Sequence, residues 1–232
     1  MENIILSERL LMVSSFVRGD TTLADIGTDH AYLPVYLIIS GKIKTAVAAD
    51  INKGPLQNAE KTVKSYGLED KITLRLSNGL QSISENEASD LVLAGMGGDL
   101  ISDILSACGW IKKKGIRIIA QPQTHSEKVR EFFINNGFEI LSETACEDEK
   151  RCYICLCAEY TGEKREYGFG YTYFGELPKC EKAQATEYLI HQRNRIFKRL
   201  SGLKESNQNK DECDFLDRLL CKFNEILGDK NG

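Results

Sequence analysis

The 232-residue sequence predicts an α/β fold, in which a mostly parallel sheet with an antiparallel end is followed by a C-terminal helical hairpin. Three observations lead there. Short apolar runs alternate with amphipathic stretches from about residue 21 to 160, the pattern of a sheet covered by helices on both faces. Two strand-like runs then follow one another with only a charged turn between them, which places an antiparallel hairpin at the sheet's edge. From about Leu177 onward the apolar residues recur at helical spacing.

Taken in order, the first element is a helix capped by Ser7, with Leu6, Leu10, Val13 and Val17 at helical spacing. The expected strands are Thr22–Ile26, Thr45–Ala49, Ile72–Leu76, Asp90–Ala94 and Ile116–Ala120. Helices are expected between them at Tyr32–Ser40, Gly54–Tyr66, Leu100–Ala107 and Ser126–Asn135. After Asn136-Gly137, the runs Phe138–Thr144 and Cys152–Tyr160 form the hairpin around Glu147-Asp148-Glu149-Lys150. The stretch from Gly162 to Gly175, rich in glycine and tyrosine, reads as a connector. Leu189, Ile196, Leu200 and Leu203 make one helical stripe; Phe215 or Leu216, Leu219, Phe223 and Ile226 make another, with a break at Ser206-Asn207-Gln208-Asn209. The expected organisation is a catalytic domain over residues 1–161, a connector over 162–176 and a helical, coiled-coil-like appendage over 177–232.

A composition of 42% hydrophobic and 28% charged residues is that of an ordinary globular protein. The net charge of -4 argues against coating nucleic acid by bulk electrostatics and leaves a local basic patch open. No apolar run approaches the roughly 18 to 20 residues that a membrane span needs. The opening Met1-Glu2-Asn3-Ile4-Ile5 lacks a signal-peptide core, so a cytoplasmic protein is expected, with no membrane partner. A monomer is expected as well. Of the eight cysteines, Cys152, Cys155 and Cys157 lie close together, but strand alternation turns Cys152 away from the other two. No second C-x-x-C or histidine pair completes a zinc site, so buried thiols are expected and no metal.

The strongest chemical signal is Asp25-Ile26-Gly27-Thr28-Asp29-His30-Ala31, where an apolar strand runs directly into a helix. Gly27 lets a nucleotide-type cofactor approach the backbone. A glycine-rich loop would carry glycines where Asp29 and Ala31 stand. A carboxylate there repels a dinucleotide pyrophosphate but suits the cationic sulfonium and amine of S-adenosylmethionine. Asp29 as a helix N-cap is the structural alternative. Asp50 closes the second strand 23 residues after Gly27, where a carboxylate can accept both ribose hydroxyls. Asn78-Gly79 after the third strand suits an adenine edge, and is also an ordinary turn. The fourth strand ends in Ala94-Gly95-Met96-Gly97-Gly98 without the N/D-P-P-Y/F tetrapeptide of amino-directed adenine methyltransferases, which disfavours methylation of an exocyclic amine.

These motifs, together with Gln121-Pro122, His125, Arg130, the opening Ser7-Glu8-Arg9-Leu10 and the late Cys152-Tyr153, resemble the bacterial tRNA (adenine-22-N1)-methyltransferase family. The resemblance runs almost throughout the catalytic domain and extends, with fewer motifs, into the helical tail. It implies a Rossmann-like class I methyltransferase domain, S-adenosylmethionine as cofactor, N1 of a tRNA adenine as target, and a C-terminal unit that helps hold tRNA. On this reading Asp25, Gly27, Asp29, His30, Asp50, Asn78, Gly79, Ala94, Gly95, Met96 and Gly97 bind the cofactor. Asp29 and Arg9 are the candidates for catalysis, and Arg9, Tyr32, Gln121 and Pro122 face the substrate. Tyr32 is equally readable as core packing, Arg9 as a surface arginine and His125 as a helix cap.

Charge divides unevenly in the tail. Residues 179–204 hold seven basic and two acidic side chains, whereas residues 205–229 hold three basic and seven acidic ones. Arg193, Arg195, Lys198 and Arg199 are thus expected at tRNA phosphates, the alternative being that the two helices merely complement each other. A class I methyltransferase acting on a small molecule, or a catalytically silent RNA-binding module, are the competing functions. A nicotinamide-dependent oxidoreductase ranks last because of Asp29 and the antiparallel ending.

Overall fold

The computed structural model describes residues 4–206 and 209–228. Asn207 and Gln208 of the expected break, and the expected domain ends at 1–3 and 229–232, lie outside the described residues. The elements run α1 (Glu8–Phe16), β1 (Thr22–Ile26), α2 (Tyr32–Ile39), β2 (Thr45–Asp50), α3 (Lys53–Ser65), β3 (Ile72–Leu76), β4 (Asp90–Gly97) and α4 (Gly98–Ser106). They continue with β5 (Arg117–Thr124), α5 (Ser126–Asn135), β6 (Phe138–Asp148), β7 (Arg151–Tyr160), the single turn α6 (Tyr171–Phe174), α7 (Ala183–Glu205) and α8 (Lys210–Leu227).

Seven strands form one sheet in the order β3-β2-β1-β4-β5-β7-β6. The first five pair in parallel, and β7 pairs antiparallel with both β5 and β6. This is the expected Rossmann-like α/β sheet with an antiparallel end. Successive side chains of a strand point to opposite faces, and the core divides accordingly. Leu23, Ala46, Ala48, Val92, Ile119 and Cys155 pack on one face with α1, α2 and α3. Ala24, Ile26, Val47, Leu91, Leu93 and Ile154 pack on the other. The C-terminal hairpin joins this second cluster through Leu189, Ile196 and Leu200 of α7 and Leu216, Leu219 and Phe223 of α8, so it shares its core with the sheet. Leu216, rather than the partly exposed Phe215, takes the inward position.

The expected Ser7 cap forms: its side chain accepts from the Leu10 amide. Several boundaries differ for physical reasons. β4 and β5 continue past Ala94 and Ala120 to Gly97 and Thr124, with register shifts around Met96. Pro122 lies within the extended β5 and pairs opposite Met96, because a bulge tolerates a residue with no amide hydrogen. The hairpin is longer than expected, since Glu149 and Lys150 alone make the turn, both with positive φ (48° and 62°). That conformation matches the twist of the flanking strands. Among the cysteines, Cys108, Cys155 and Cys157 are buried, but Cys221 is exposed on α8 and the other four are half-buried.

The connector is held by a buried ion pair. Arg130 of α5 grips Glu143 of β6 with two bonds of 2.8 and 2.9 Å, both side chains having no exposed surface. Its remaining nitrogen donates to the carbonyls of Thr172 and Tyr173 at 2.9 and 3.3 Å. At Gly175, with φ 54°, a Cβ would lie 2.3 Å from Glu143 Oε1, so only glycine lets the chain pass this pair.

Candidate active site

In an open α/β sheet, ligands bind beyond the carboxyl ends of the strands where successive connections leave in opposite directions. Here that point lies between β1 and β4. A cavity of about 370 Å³ opens there, lined by Arg9, Leu10, Asp25, Gly27, Thr28, Asp29, His30, Ala31, Tyr32, Leu33, Ala94, Gly95 and Gln123.

The β1–α2 loop is built for close approach. The amides of Gly27 and Thr28 both donate to the Ala49 carbonyl, at 2.8 and 3.0 Å, fixing the loop on the end of β2. Gly27 has φ 77°, and a Cβ on it would meet Met96 Cε at 2.2 Å, so Met96 lies directly over the glycine. The residue preceding α2 is Ala31, in the left-handed region, and the helix has no side-chain cap. Asp29 therefore does not serve as the N-cap. Its side chain is 68% exposed and lies 3.5 Å from His30 Nε2. The His30 and Tyr32 rings stack at 4.9 Å and 9°. Tyr32, 43% exposed, is a rim residue and not part of the core.

Asp25 lies at the floor. Burial pushes its carboxyl up to about 6, opposed in part by the nearby Thr28 hydroxyl. That hydroxyl is itself buried and lacks a hydrogen-bond partner of good geometry among the described residues. A buried carboxyl facing a cavity and an orphaned hydroxyl beside it both await a polar, cationic ligand.

Across the cavity, the β4 bulge turns Gly95 to φ 81° and presents its amide to Gln121 Oε1 at 3.1 Å. The same oxygen accepts from Arg9 Nη1 at 2.9 Å. Gln121 is fully buried, so it acts by positioning Arg9 and Gly95. Arg9 lies over the Tyr153 ring, 5.9 Å from its centroid, and a Cβ on Gly95 would come within 3.4 Å of the guanidinium. The N-terminal helix thereby delivers a half-buried Arg9 to the wall of this cavity.

The remaining expected residues fall around this centre. Asp50 ends β2, with its Oδ1 accepting from the Asn52 amide at 2.7 Å. Asn78 lines a separate cavity of about 470 Å³ with Leu80, Leu100, Ile104 and Trp110, and a Cβ on Gly79 would meet Ile104 at 2.8 Å. Gly97 faces Thr124, and Gly98 packs on the His125 backbone. His125 precedes α5 without capping it, and its Nδ1 pairs with Asp99. A third cavity of about 430 Å³ adjoins the first through Gln123 and is lined by Pro122, Thr124, Arg151, Cys152, Tyr153, Tyr188, His191, Gln192 and Arg195. Of the basic residues of α7, Arg195 borders this cavity, Lys198 is exposed, Arg193 is half-buried, and Arg199 pairs with Glu212 of α8. Lys204 pairs likewise with Asp217 at 2.8 Å. The helices therefore complement each other at their turn-proximal end.

The sequence reading did not assign Thr28, Gln123 or Tyr153 to the site. Thr28 and Gln123 stand beside motif residues and could have been flagged by adjacency. Tyr153 arrives only because β7 overshoots its pairing with β5.

A methyltransferase-domain family model matches residues 6–156. The tRNA (adenine(22)-N(1))-methyltransferase of Bacillus subtilis is 34% identical over 224 residues, covering 91% of this chain and 92% of its own. The crystal structure of the B. subtilis m1A22 tRNA methyltransferase TrmK superposes with a TM-score of 0.84 at 27% identity, over 97% of this chain and 99% of that one. Mycoplasma capricolum TrmK, solved with S-adenosyl-homocysteine, gives 0.80 at 26% identity over 97% and 99%.

Proposed function

We propose, from the premise that this chain belongs to the tRNA (adenine(22)-N(1))-methyltransferase family, that it methylates N1 of adenine 22 in tRNA with S-adenosylmethionine. The observation that carries the reading is the junction at Gln123. There a donor cavity with a buried carboxyl and an orphaned hydroxyl meets a second cavity walled by the basic helix α7.

S-adenosylmethionine supplies an electrophilic methyl group on a cationic sulfonium. Asp25 and Thr28 hold its amino-acid end, and Gly27 keeps the backbone close. Asp50 takes the ribose hydroxyls, and Ala94, Gly95, Met96 and Gly97 wall the donor. N1 of adenine carries an in-plane lone pair, so no proton has to leave before attack. The chain's task is to orient that edge in line with the methyl group and to tolerate positive charge growing on the base. Asp29, with His30 beside it, offsets that charge at the rim. Gln121 fixes Arg9 over Tyr153, where the guanidinium stacks on a base or holds its phosphate. Tyr32 and Pro122 border the path of the base. Arg193, Arg195 and Lys198 meet tRNA phosphates, and Arg199 contributes less because Glu212 already shares its charge. Residues 1–161 thus do the chemistry and 177–232, joined by 162–176, hold the RNA. No described helix is long and apolar enough to cross a membrane, and we read the protein as a cytoplasmic monomer.

The test is to incubate the protein with labelled S-adenosylmethionine and unmodified tRNA, digest the RNA and identify the nucleoside. A dominant N1-methyladenosine at position 22 is the expected product. Donor binding with unlabelled tRNA sinks the reading and favours a small-molecule substrate.

A further inference from the structure

Beside the second cavity, β7 and α7 bring together three side chains with metal-binding chemistry. The ligand atoms of Cys152, Glu187 and His191 all lie within 4.8 Å of one another. Glu187 and His191 stand one turn apart on α7, with His191 Nε2 3.7 Å from Glu187 Oε1. Cys152 comes from the first turn-proximal residues of β7, where the strand has passed the end of its pairing with β5. Tetrahedral zinc with bonds of about 2.0–2.3 Å separates neighbouring ligand atoms by roughly 3.3–3.6 Å, so small side-chain rotations close the trio around an ion.

We propose that Cys152, Glu187 and His191 form a three-ligand site for Zn²⁺, which fastens α7 to the sheet beside the catalytic cavity. Sulfur and imidazole donors select zinc over magnesium or calcium, which take oxygen. Cys152 and His191 both line the cavity, which leaves a fourth position open to water. Charges of both signs surround the trio. Lys150, Arg151 and Arg195 border the same cavity and oppose a dication. A Cys152 thiolate and Glu187 supply two negative charges, and Glu147, opposite Cys152 in the β6–β7 register, supplies a third. With the metal-free thiol protonated, zinc binding releases its proton to solvent. Because one ligand lies on the sheet and two on the helix, the ion ties the helical appendage to the catalytic domain.

The test is direct zinc titration of the full chain, by calorimetry and by competition with a chromophoric chelator. One ion per chain is expected. Cys152→Ser and His191→Gln should each weaken binding by more than the roughly 10- to 100-fold that loss of a supporting group costs. Cobalt in place of zinc should give a thiolate-to-metal charge-transfer band that Cys152→Ser abolishes. Zinc should raise the melting temperature of the wild type and not of His191→Gln, a half-exposed helix position whose replacement leaves the fold intact. Absence of stoichiometric binding, or binding undiminished in Cys152→Ser, overturns the proposal. Neither outcome depends on methyl transfer.

Discussion

Replacing Asp25 by asparagine should stabilise the ligand-free protein while weakening its grip on the donor. Burial raises the Asp25 carboxyl from 3.8 to about 6. For an acid whose folded value is raised, the folded chain holds its proton more tightly than the unfolded chain. Below about pH 4 both states are protonated and the group costs nothing. Between the two values the unfolded chain ionises first, so stability falls as pH rises. Above about pH 6 both are ionised and the full cost is present. A shift of that size corresponds to about 3 kcal/mol. Denaturant unfolding of wild type and Asp25→Asn across pH 4 to 8 measures it. The two should agree near pH 4 and diverge up to about pH 6.5, with the variant the more stable by about 3 kcal/mol at most. Donor affinity, measured by calorimetry at pH 7.5, should fall in the variant, because the uncompensated charge is what a cationic ligand relieves. A stability difference that is constant with pH would refute the reasoning, and so would undiminished donor affinity.

Glu143→Gln leaves the buried Arg130 guanidinium without its charge partner and should cost about 3–5 kcal/mol of unfolding free energy. Gly98→Ala places a Cβ 2.1 Å from the His125 carbonyl oxygen, a backbone neighbour that cannot yield, and should destabilise by about 1–3 kcal/mol. Gly54→Ala, with open space around its Cβ, is the matched control and should be neutral or slightly stabilising in the same melts. In tRNA binding across salt concentrations, Arg195→Gln should reduce the salt slope by about one unit. Arg199→Gln should leave the slope nearly unchanged and cost up to about 1 kcal/mol of stability through its exposed pair with Glu212.

The strand–helix alternation and the two strand faces were legible in the sequence, because they follow from local periodicity: Leu23 and Ala24 point to opposite clusters as alternation requires. The loop that lines the cavity between β1 and β4 was legible for a similar reason, since Asp25, Gly27 and Asp29 are neighbours on one turn. Contacts between distant segments were not. Nothing local says that Arg9 reaches Gln121 across 112 residues, or that the Arg130 guanidinium seals the connector over Glu143. Cysteine spacing alone could not place Glu187 and His191 beside Cys152, because they lie on a helix that begins 31 residues later. The sequence by itself determined which elements form and which strand-to-helix turn lines the cavity between β1 and β4, since propensity and backbone freedom act over a few residues. Only the tertiary structure decided which charges are buried, which are paired and which face the second cavity, because those depend on burial and Coulomb partners that the chain brings together only by folding.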